Sequence, residues 1–144
     1  MTEWIGPGAA LEDSWRGEPV AQPPMPSREL TQCVIGAMFY VHTRLGKHFP
    51  ESVYEAAMAK VLRDRSILVA RQHALDVWFE DEAIATFRVD LVVERQLLVE
   101  VKVVPRLLPI HDSQVLHYLR ASRIRLGLLA NFAGPRVEVR RLIV

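Results

Sequence analysis

The chain has a single cysteine, Cys33, among its 144 residues. One cysteine excludes an intramolecular disulfide framework and a zinc site built on thiolates. The five histidines do not supply a zinc site either, because their spacing matches no zinc-binding signature. We therefore expect a cytoplasmic protein, in which Cys33 lies beside Val34 and Ile35 as a buried, unreactive thiol.

Glycine and long hydrophobic runs are also scarce. The seven glycines form no glycine-rich phosphate loop, and no Ser/His/Asp triad is legible. No hydrophobic run approaches the roughly 20 residues of a membrane span, and the N-terminus lacks the basic start and apolar stretch of a signal peptide. These absences argue against a P-loop NTPase, a serine hydrolase and a membrane protein.

Proline is concentrated near the N-terminus. Five of the nine prolines lie within residues 1–27, with glycines and acids but without hydrophobic periodicity, so this segment is predicted to be a mostly disordered tail. Trp4 and Trp15 are its candidate docking points. Half of all residues are hydrophobic, and the rest of the chain is long enough for one core and too short for two. We expect one domain over residues 28–144.

The charges are unevenly distributed, although the formal net charge is only +1. Residues 1–28 carry a net charge of −2, residues 29–100 carry −3, and residues 101–144 carry +6 from eight basic and two acidic residues. A basic C-terminal third beside an acidic cluster is what binding of a phosphate backbone next to a metal requires. Ordinary surface arginines are the alternative.

Two consecutive apolar segments, residues 89–93 and 97–104, carry charged residues where none is expected. Their valine and leucine content predicts paired strands buried on both faces. An ionised carboxylate is costly in such a place unless a cation or a hydrogen-bonding partner compensates it. Asp90, Glu100 and Lys102 therefore need a common reason, and a divalent cation supplies one.

The register of this hairpin decides whether the charges meet. Glu100 and Lys102 project together, because residues two apart on a strand share a face. An odd-numbered loop with its tip near Arg95 places Asp90 opposite Glu100, whereas a shift of one residue sends Asp90 to the other face. Two carboxylates beside a lysine suit Mg²⁺ or Mn²⁺. A Glu-x-Lys pair that simply faces solvent is the plainer alternative.

Helical periodicity predicts two helices in the first half of the domain. The first begins after Ser27 as its N-cap and ends at Gly46. The second begins near Glu51, where Glu51 and Glu55 share one helical face. One of these carboxylates can reach a metal, but acids at a helix start also complement the macrodipole, which is a purely structural role.

A third helix over about residues 110–122 displays Gln114 and Tyr118 on one face. A half-buried tyrosine with a solvated hydroxyl is the structural alternative.

A turn is predicted at Asp81 and Glu82, and the predicted strands cover residues 67–72, 74–80, 84–94, 97–104, 125–132 and 137–144. The pattern predicts an α/β fold, a mixed β-sheet flanked by helices.

Five segments carry a recognisable combination of residues: Glu-Ser-Val-Tyr-Glu at 51–55, Phe-Arg-Val-Asp-Leu-Val-Val at 87–93, Val-Glu-Val-Lys at 99–102, Pro-Ile-His-Asp-Ser-Gln-Val-Leu-His-Tyr-Leu at 109–119, and Leu-Gly-Leu-Leu-Ala-Asn-Phe at 126–132. Together they resemble the PD-(D/E)XK nuclease superfamily and, within it, the small bacterial GxxExxY proteins. The resemblance covers about residues 29–144 and implies a restriction-endonuclease-like core. One position departs from it: His48 stands where the family has glycine, three residues before Glu51, and Pro50 directly precedes Glu51.

The resemblance implies a metal centre. Asp90 and Glu100, with the carbonyl of Val101, are expected to hold Mg²⁺ or Mn²⁺. It favours Glu51 as the further functional acid, with Glu55 second.

The resemblance also implies roles in catalysis and substrate binding. Lys102 is expected to position the nucleophilic water or to neutralise charge that develops on the phosphate. Gln114 and Tyr118 are expected to border the site and contact the substrate or the water. His111 is expected to lie near the path of the phosphates, and Arg88 to bind the substrate.

The sequence therefore predicts a metal-dependent nuclease acting on nucleic acid, with DNA expected as the substrate and no membrane as a partner. A catalytically silent module that binds nucleic acid or a protein is the alternative from another class. A structural subunit docked through Trp4 and Trp15 is a third. So small a domain offers little surface to grip a substrate, which leaves a homodimer or a protein partner open.

Overall fold

The computed structural model describes residues 24–144, so most of the predicted tail lies outside it. Over these residues the elements follow the order α1 (Arg28–Leu45), α2 (Glu51–Asp64), β1 (Val69–Phe79), β2 (Glu82–Val93), β3 (Leu97–Lys102), α3 (Pro109–Ser122), β4 (Leu126–Asn131) and β5 (Glu138–Ile143). None of these helices is both long and apolar enough to cross a lipid bilayer. The predicted α/β class is confirmed.

Helix α1 begins and ends at the predicted residues. The Ser27 side chain accepts a hydrogen bond from the backbone N–H of Leu30 at 3.1 Å, and Gly46, with a φ of 70°, follows the last turn. Cys33 is exposed, so the prediction of a buried thiol is wrong. It lies about 100° around the helix from the buried Val34, because successive helical residues point in different directions.

The connection from α1 to α2 contains the position where the sequence departs from the family pattern. His48 has a φ of 81°, in the left-handed region that glycine adopts most readily. Pro50 is the N-cap of α2 and needs no backbone donor there. The backbone at residue 48 thus keeps a conformation suited to glycine although the residue is histidine.

A five-stranded mixed sheet forms the centre of the fold, with its strands in the order β1-β2-β3-β4-β5. β3 and β4 are parallel and α3 connects them, whereas the other neighbouring pairs are antiparallel. α1 and α2 cover one face of the sheet around Tyr54 and Met58, and α3 covers the other around Val115 and Leu119. Both faces of β3 and β4 are therefore buried.

The β1–β2 hairpin passes from one side of the sheet to the other. Leu91 belongs to the core beneath α1 and α2, whereas Val89, two residues earlier, belongs to the core beneath α3. The crossing lies where Gln72, with a φ of 48°, faces Asp90. The sequence predicts two strands separated at His73, but β1 runs through it without interruption, because His73 is buried and pairs with Val89.

Candidate functional site

The acidic residues of the predicted metal site meet where β2 separates from β3. The regular strand pairing ends at Leu91 and Val99, and the same register continued by one residue places Asp90 opposite Glu100, as predicted. Beyond this point, side-chain carboxylates take the place of backbone carbonyls as hydrogen-bond acceptors between the two strands. Glu100 Oε1 accepts the N–H of Asp90 at 3.0 Å, and Asp90 Oδ2 accepts the N–H of Val101 at 2.8 Å. Each strand therefore holds the other's functional side chain in place.

Burial controls the ionisation of Glu100. This residue is only 3% exposed, and burial, followed by the nearby negative charge of Asp90, raises its pKa from 4.5 to about 8. The positive charge of Lys102 acts in the opposite direction and lowers the pKa. At neutral pH Glu100 therefore keeps its proton, which it can share with the Asp90 carboxylate. A bound cation would replace that proton.

Lys102 lies at the end of β3 on a well-supported stretch of backbone. Its carbonyl accepts the N–H of Phe132 at 2.9 Å. Two residues further on, the Asn131 side chain accepts the N–H of Val104 at 3.2 Å and donates to its carbonyl at 2.9 Å. These bonds limit the movement of the strand end from which the Lys102 side chain projects, on the face that it shares with Glu100.

The donor set fits a hard divalent cation. Asp90 and Glu100 supply adjacent carboxyl groups. The Val101 carbonyl points to the same side of β3 as the Val101 N–H, which faces Asp90. Oxygen donors of this kind suit Mg²⁺ or Mn²⁺, which keep water at their remaining positions. Over residues 24–144, no group of three or more histidine, cysteine or acidic side chains is arranged to hold a metal. The Val101 carbonyl and water would supply further oxygen donors beside the two carboxylates.

Gln72 connects a third acid to this pair. Its side-chain amide donates to Glu55 Oε2 at 2.9 Å and to Asp90 Oδ1 at 3.2 Å. Glu55 is buried on α2, and Arg71 donates to its other oxygen at 3.3 Å. Burial raises the pKa of Glu55, and the charge of Asp90 raises it further. We call Asp90, Glu100 and Glu55 the carboxylate cluster.

Glu51 does not share these contacts. It is exposed in the first turn of α2, one turn before Glu55. The preference for Glu51 over Glu55 stays a prediction, and the hydrogen bonds favour the reverse order. Glu55 is 5% exposed and meets Arg71 and Gln72 of β1, whereas Glu51, one turn earlier, is exposed.

Gln114 and Tyr118 lie together on α3, as predicted, and border the cluster. The Gln114 amide donates to the Tyr118 hydroxyl oxygen at 2.9 Å. Burial raises the pKa of Tyr118, and the negative charges of Glu100 and Asp90 raise it further. Tyr118 therefore stays a neutral phenol whose proton is free to be donated toward the cluster.

The remaining predicted substrate-binding residues have structural partners of their own. His111 Nδ1 accepts the N–H of Leu108 at 2.9 Å and so caps the start of α3. Arg88 donates to the Gln72 carbonyl at 3.1 Å across the hairpin, and most of its surface remains exposed. Both residues flank the cluster, and their contact with a substrate stays a prediction.

Sequence reasoning missed Gln72 altogether. The pairing of β1 with β2 shifts by one residue between Val77 and Trp78. The turn lies at Glu80 and Asp81, one residue earlier than predicted, and without this bulge it would place Arg71 opposite Asp90. A bulge has no clear sequence signature, so no pattern in the sequence indicates that Gln72 joins the site.

Comparisons with known proteins bear on the family and the fold of the chain. A family model described as PD-(D/E)XK nuclease superfamily matches residues 28–142. The solved structure described as "Crystal structure of SSO0001" is similar with a TM-score of 0.53 and 13% identity, over 93% of this chain and 73% of that chain. At that identity the likeness supports the fold alone. No curated protein matches the chain.

Proposed function

Because this chain belongs to the PD-(D/E)XK nuclease superfamily, we propose that it is a metal-dependent nuclease that hydrolyses phosphodiester bonds of nucleic acid, with DNA as the expected substrate. The observation that carries the proposal is the pairing of Asp90 with Glu100 across two separating strands, next to Lys102. Their hydrogen bonds to the neighbouring strand do not compensate two negative charges side by side, whereas a bound cation would.

Asp90, Glu100 and the Val101 carbonyl would hold Mg²⁺ or Mn²⁺, with Glu55 or Glu51 as the further acid. The chemistry that such an ion supplies is polarisation of the phosphate and a lower pKa of water. Members of this superfamily are typically metal-dependent.

Lys102, and Gln114 with Tyr118 on α3, have the remaining roles in this proposal. The Lys102 ammonium orients the attacking water and compensates negative charge that develops on the phosphate oxygens. The Tyr118 hydroxyl, which Gln114 holds by its oxygen, donates a hydrogen bond to a phosphate oxygen and keeps its proton. The hydrogen bonds of Asp90 and Glu100 to the neighbouring strand keep both acids oriented before the substrate arrives.

We also propose that the chain belongs to the GxxExxY branch of the superfamily. Glu51 and Tyr54, spaced as the glutamate and the tyrosine of the family name are, and the glycine-like backbone of His48 support this assignment. The basic C-terminal third supports nucleic acid as the partner. A cytoplasmic location remains an expectation from the sequence.

The test is hydrolysis of plasmid and single-stranded DNA with Mg²⁺ or Mn²⁺. Lys102→Ala is expected to lower the rate about a hundredfold, because it removes a charge that stabilises the transition state. Asp90→Asn is expected to lower it similarly, although asparagine can still accept the N–H of Val101. The matched control is Lys60→Ala, which removes an exposed lysine paired with Asp64 on α2 and is expected to keep wild-type activity.

Equal cleavage by the wild type and both site variants would mean that another centre is responsible and would overturn the proposal. Binding of DNA by the wild type without turnover in either metal would favour the silent module instead.

A further inference from the structure

A pocket lies between β2 and the first half of α3, beside the carboxylate cluster. Its volume is about 420 Å³, within the range of pockets that bind small organic groups. We call it the α3 pocket, and its lining residues are Phe87, Ile110, His111, Ser113, Gln114, His117 and Tyr118. Only Gln114 and Tyr118 have a role in the proposed reaction, so most of the pocket is unexplained by it.

The α3 pocket adjoins the proposed reaction centre at Tyr118. Tyr118 lines the pocket, and its pKa responds to the charges of Glu100 and Asp90. Phe87 lies three residues before Asp90 on β2, which is about 10 Å along a strand. A group bound in the pocket is therefore close to a phosphate held at the cluster.

The lining combines apolar and aromatic surfaces with polar edges. The Phe87 and Tyr118 rings are 5.8 Å apart with an angle of 54° between their planes. Ile110 is 70% exposed and Phe87 38% exposed, so both present apolar surface to solvent at the pocket. Ser113 and His117 add hydrogen-bonding groups at its rim. A flat group with apolar faces and polar edges matches this combination.

The charges around the pocket favour a nucleotide as the source of that group. None of the seven lining residues, all within the described part of the chain, is acidic. Arg120 lies one turn beyond His117 on α3 and is exposed. A positive side chain beside an aromatic pocket without acids suits a base whose neighbouring phosphate lies outside.

We propose that the α3 pocket binds an unpaired nucleobase next to the scissile phosphate and thereby selects single-stranded nucleic acid. Its role in substrate choice rests on the proposed nuclease function. A base in a duplex is stacked and paired, so it can enter the pocket only after it leaves the helix, which has a cost in free energy. A single strand offers its bases without that cost.

The test measures affinity by fluorescence anisotropy in a chelating buffer, with DNA of equal length in three forms. These are a single strand, its duplex, and a single strand whose central nucleotides lack bases. The wild type is expected to bind the normal single strand about tenfold more tightly than the abasic strand or the duplex, as stacking on an aromatic side chain contributes about this much.

Two variants probe the pocket itself. Ile110→Ala removes an exposed side chain and leaves the core intact, and Phe87→Ala removes the stacking surface. Both are expected to lower affinity for the normal strand toward that for the abasic strand, without changing affinity for the abasic strand. The control is Ile84→Ala, at an isoleucine that is 59% exposed on the same strand as Phe87 but outside the pocket; it is expected to behave as the wild type.

Cleavage in Mg²⁺ or Mn²⁺, measured on the same DNA, separates the two proposals. Cleavage together with equal affinity for normal and abasic strands would overturn the base pocket and keep the nuclease. Base-dependent binding without any cleavage would overturn the nuclease and keep base recognition. Loss of affinity for the abasic strand in Ile110→Ala would also overturn the pocket, since it would indicate a general effect on backbone binding.

Discussion

At the residue scale, the protonation of Glu100 is the property most sensitive to its surroundings. Its carboxyl group is buried beside Asp90, and burial is the main cause of its raised pKa. In the unfolded chain the same group is solvated and loses its proton near pH 4.5. The folded chain therefore binds one more proton than the unfolded chain between about pH 4.5 and pH 8.

This difference predicts that the metal-free protein loses stability as the pH rises through that window. The free energy of unfolding is expected to fall by a few kcal/mol between about pH 5 and pH 8.5, with Glu55 contributing in the same direction. Glu100→Gln keeps the hydrogen-bond acceptor for the Asp90 N–H but cannot ionise, so its profile is expected to be flatter. Urea denaturation in a chelating buffer measures both profiles.

The matched control for this measurement is Glu82→Gln, at an exposed glutamate at the start of β2. It is expected to keep the pH dependence of the wild type. Parallel profiles for the wild type and Glu100→Gln would contradict the assignment of the pH dependence to Glu100.

At the scale of elements, the position of α3 determines how Gln114 and Tyr118 meet the cluster. The helix is anchored at its start by Arg140 on β5, which donates to both oxygens of Asp112 at 2.9 and 3.1 Å and to the Leu107 carbonyl at 3.3 Å. Its middle rests directly on β4 at Gly127. The site therefore depends on the distance between α3 and the sheet.

Gly127→Ala is expected to increase that distance. A Cβ atom at residue 127 would lie 2.6 Å from Val115 Cγ1 and 3.4 Å from a methyl carbon of Leu119, so the helix must shift. We expect a loss of about 1–3 kcal/mol in the free energy of unfolding and lower nuclease activity. Urea denaturation and the cleavage assay measure these two effects.

Gly36→Ala is the matched control. Gly36 is exposed on α1, and a Cβ atom there would have nothing within 4 Å. Because alanine is the better helix former, this variant is expected to gain about 0.5–1 kcal/mol. Destabilisation of the same size in both variants would show that contact with α3 is not the cause.

At the scale of the whole molecule, the described residues 24–144 carry 17 basic and 13 acidic residues, whereas residues 1–23 carry one basic and four acidic residues. The excess of positive charge thus belongs to residues 24–144. Arg140 is engaged by Asp112, which removes it from the candidates for phosphate contact. Arg120 remains exposed on the α3 face that carries His117.

The salt dependence of DNA binding tests this distribution. If Arg120 contacts one phosphate, Arg120→Ala is expected to reduce the slope of log affinity against log salt concentration by about 0.7 for single strands. Titrations in a chelating buffer at several salt concentrations measure the slope. Arg28→Ala, at the start of α1 on the opposite face of the sheet, is the control and is expected to keep it. An unchanged slope for Arg120→Ala would exclude this contact.

Much of the fold follows from local patterns in the sequence. The caps of α1 at Ser27 and Gly46 depend on neighbouring residues, and so does the start of α2 after Pro50. The register that pairs Asp90 with Glu100 follows from the parity of a three-residue loop. These features need no knowledge of distant segments.

The sequence by itself determined the helices, the hairpin register and the two acids that face each other, because periodicity and loop parity act over a few residues. Only the tertiary structure decided that Gln72 joins Glu55 to Asp90, since a bulge near Trp78 shifts the pairing of β1. It likewise decided that Phe87 and α3 enclose a pocket. Such contacts depend on how elements far apart in the chain pack, and packing across a sheet leaves no local signature.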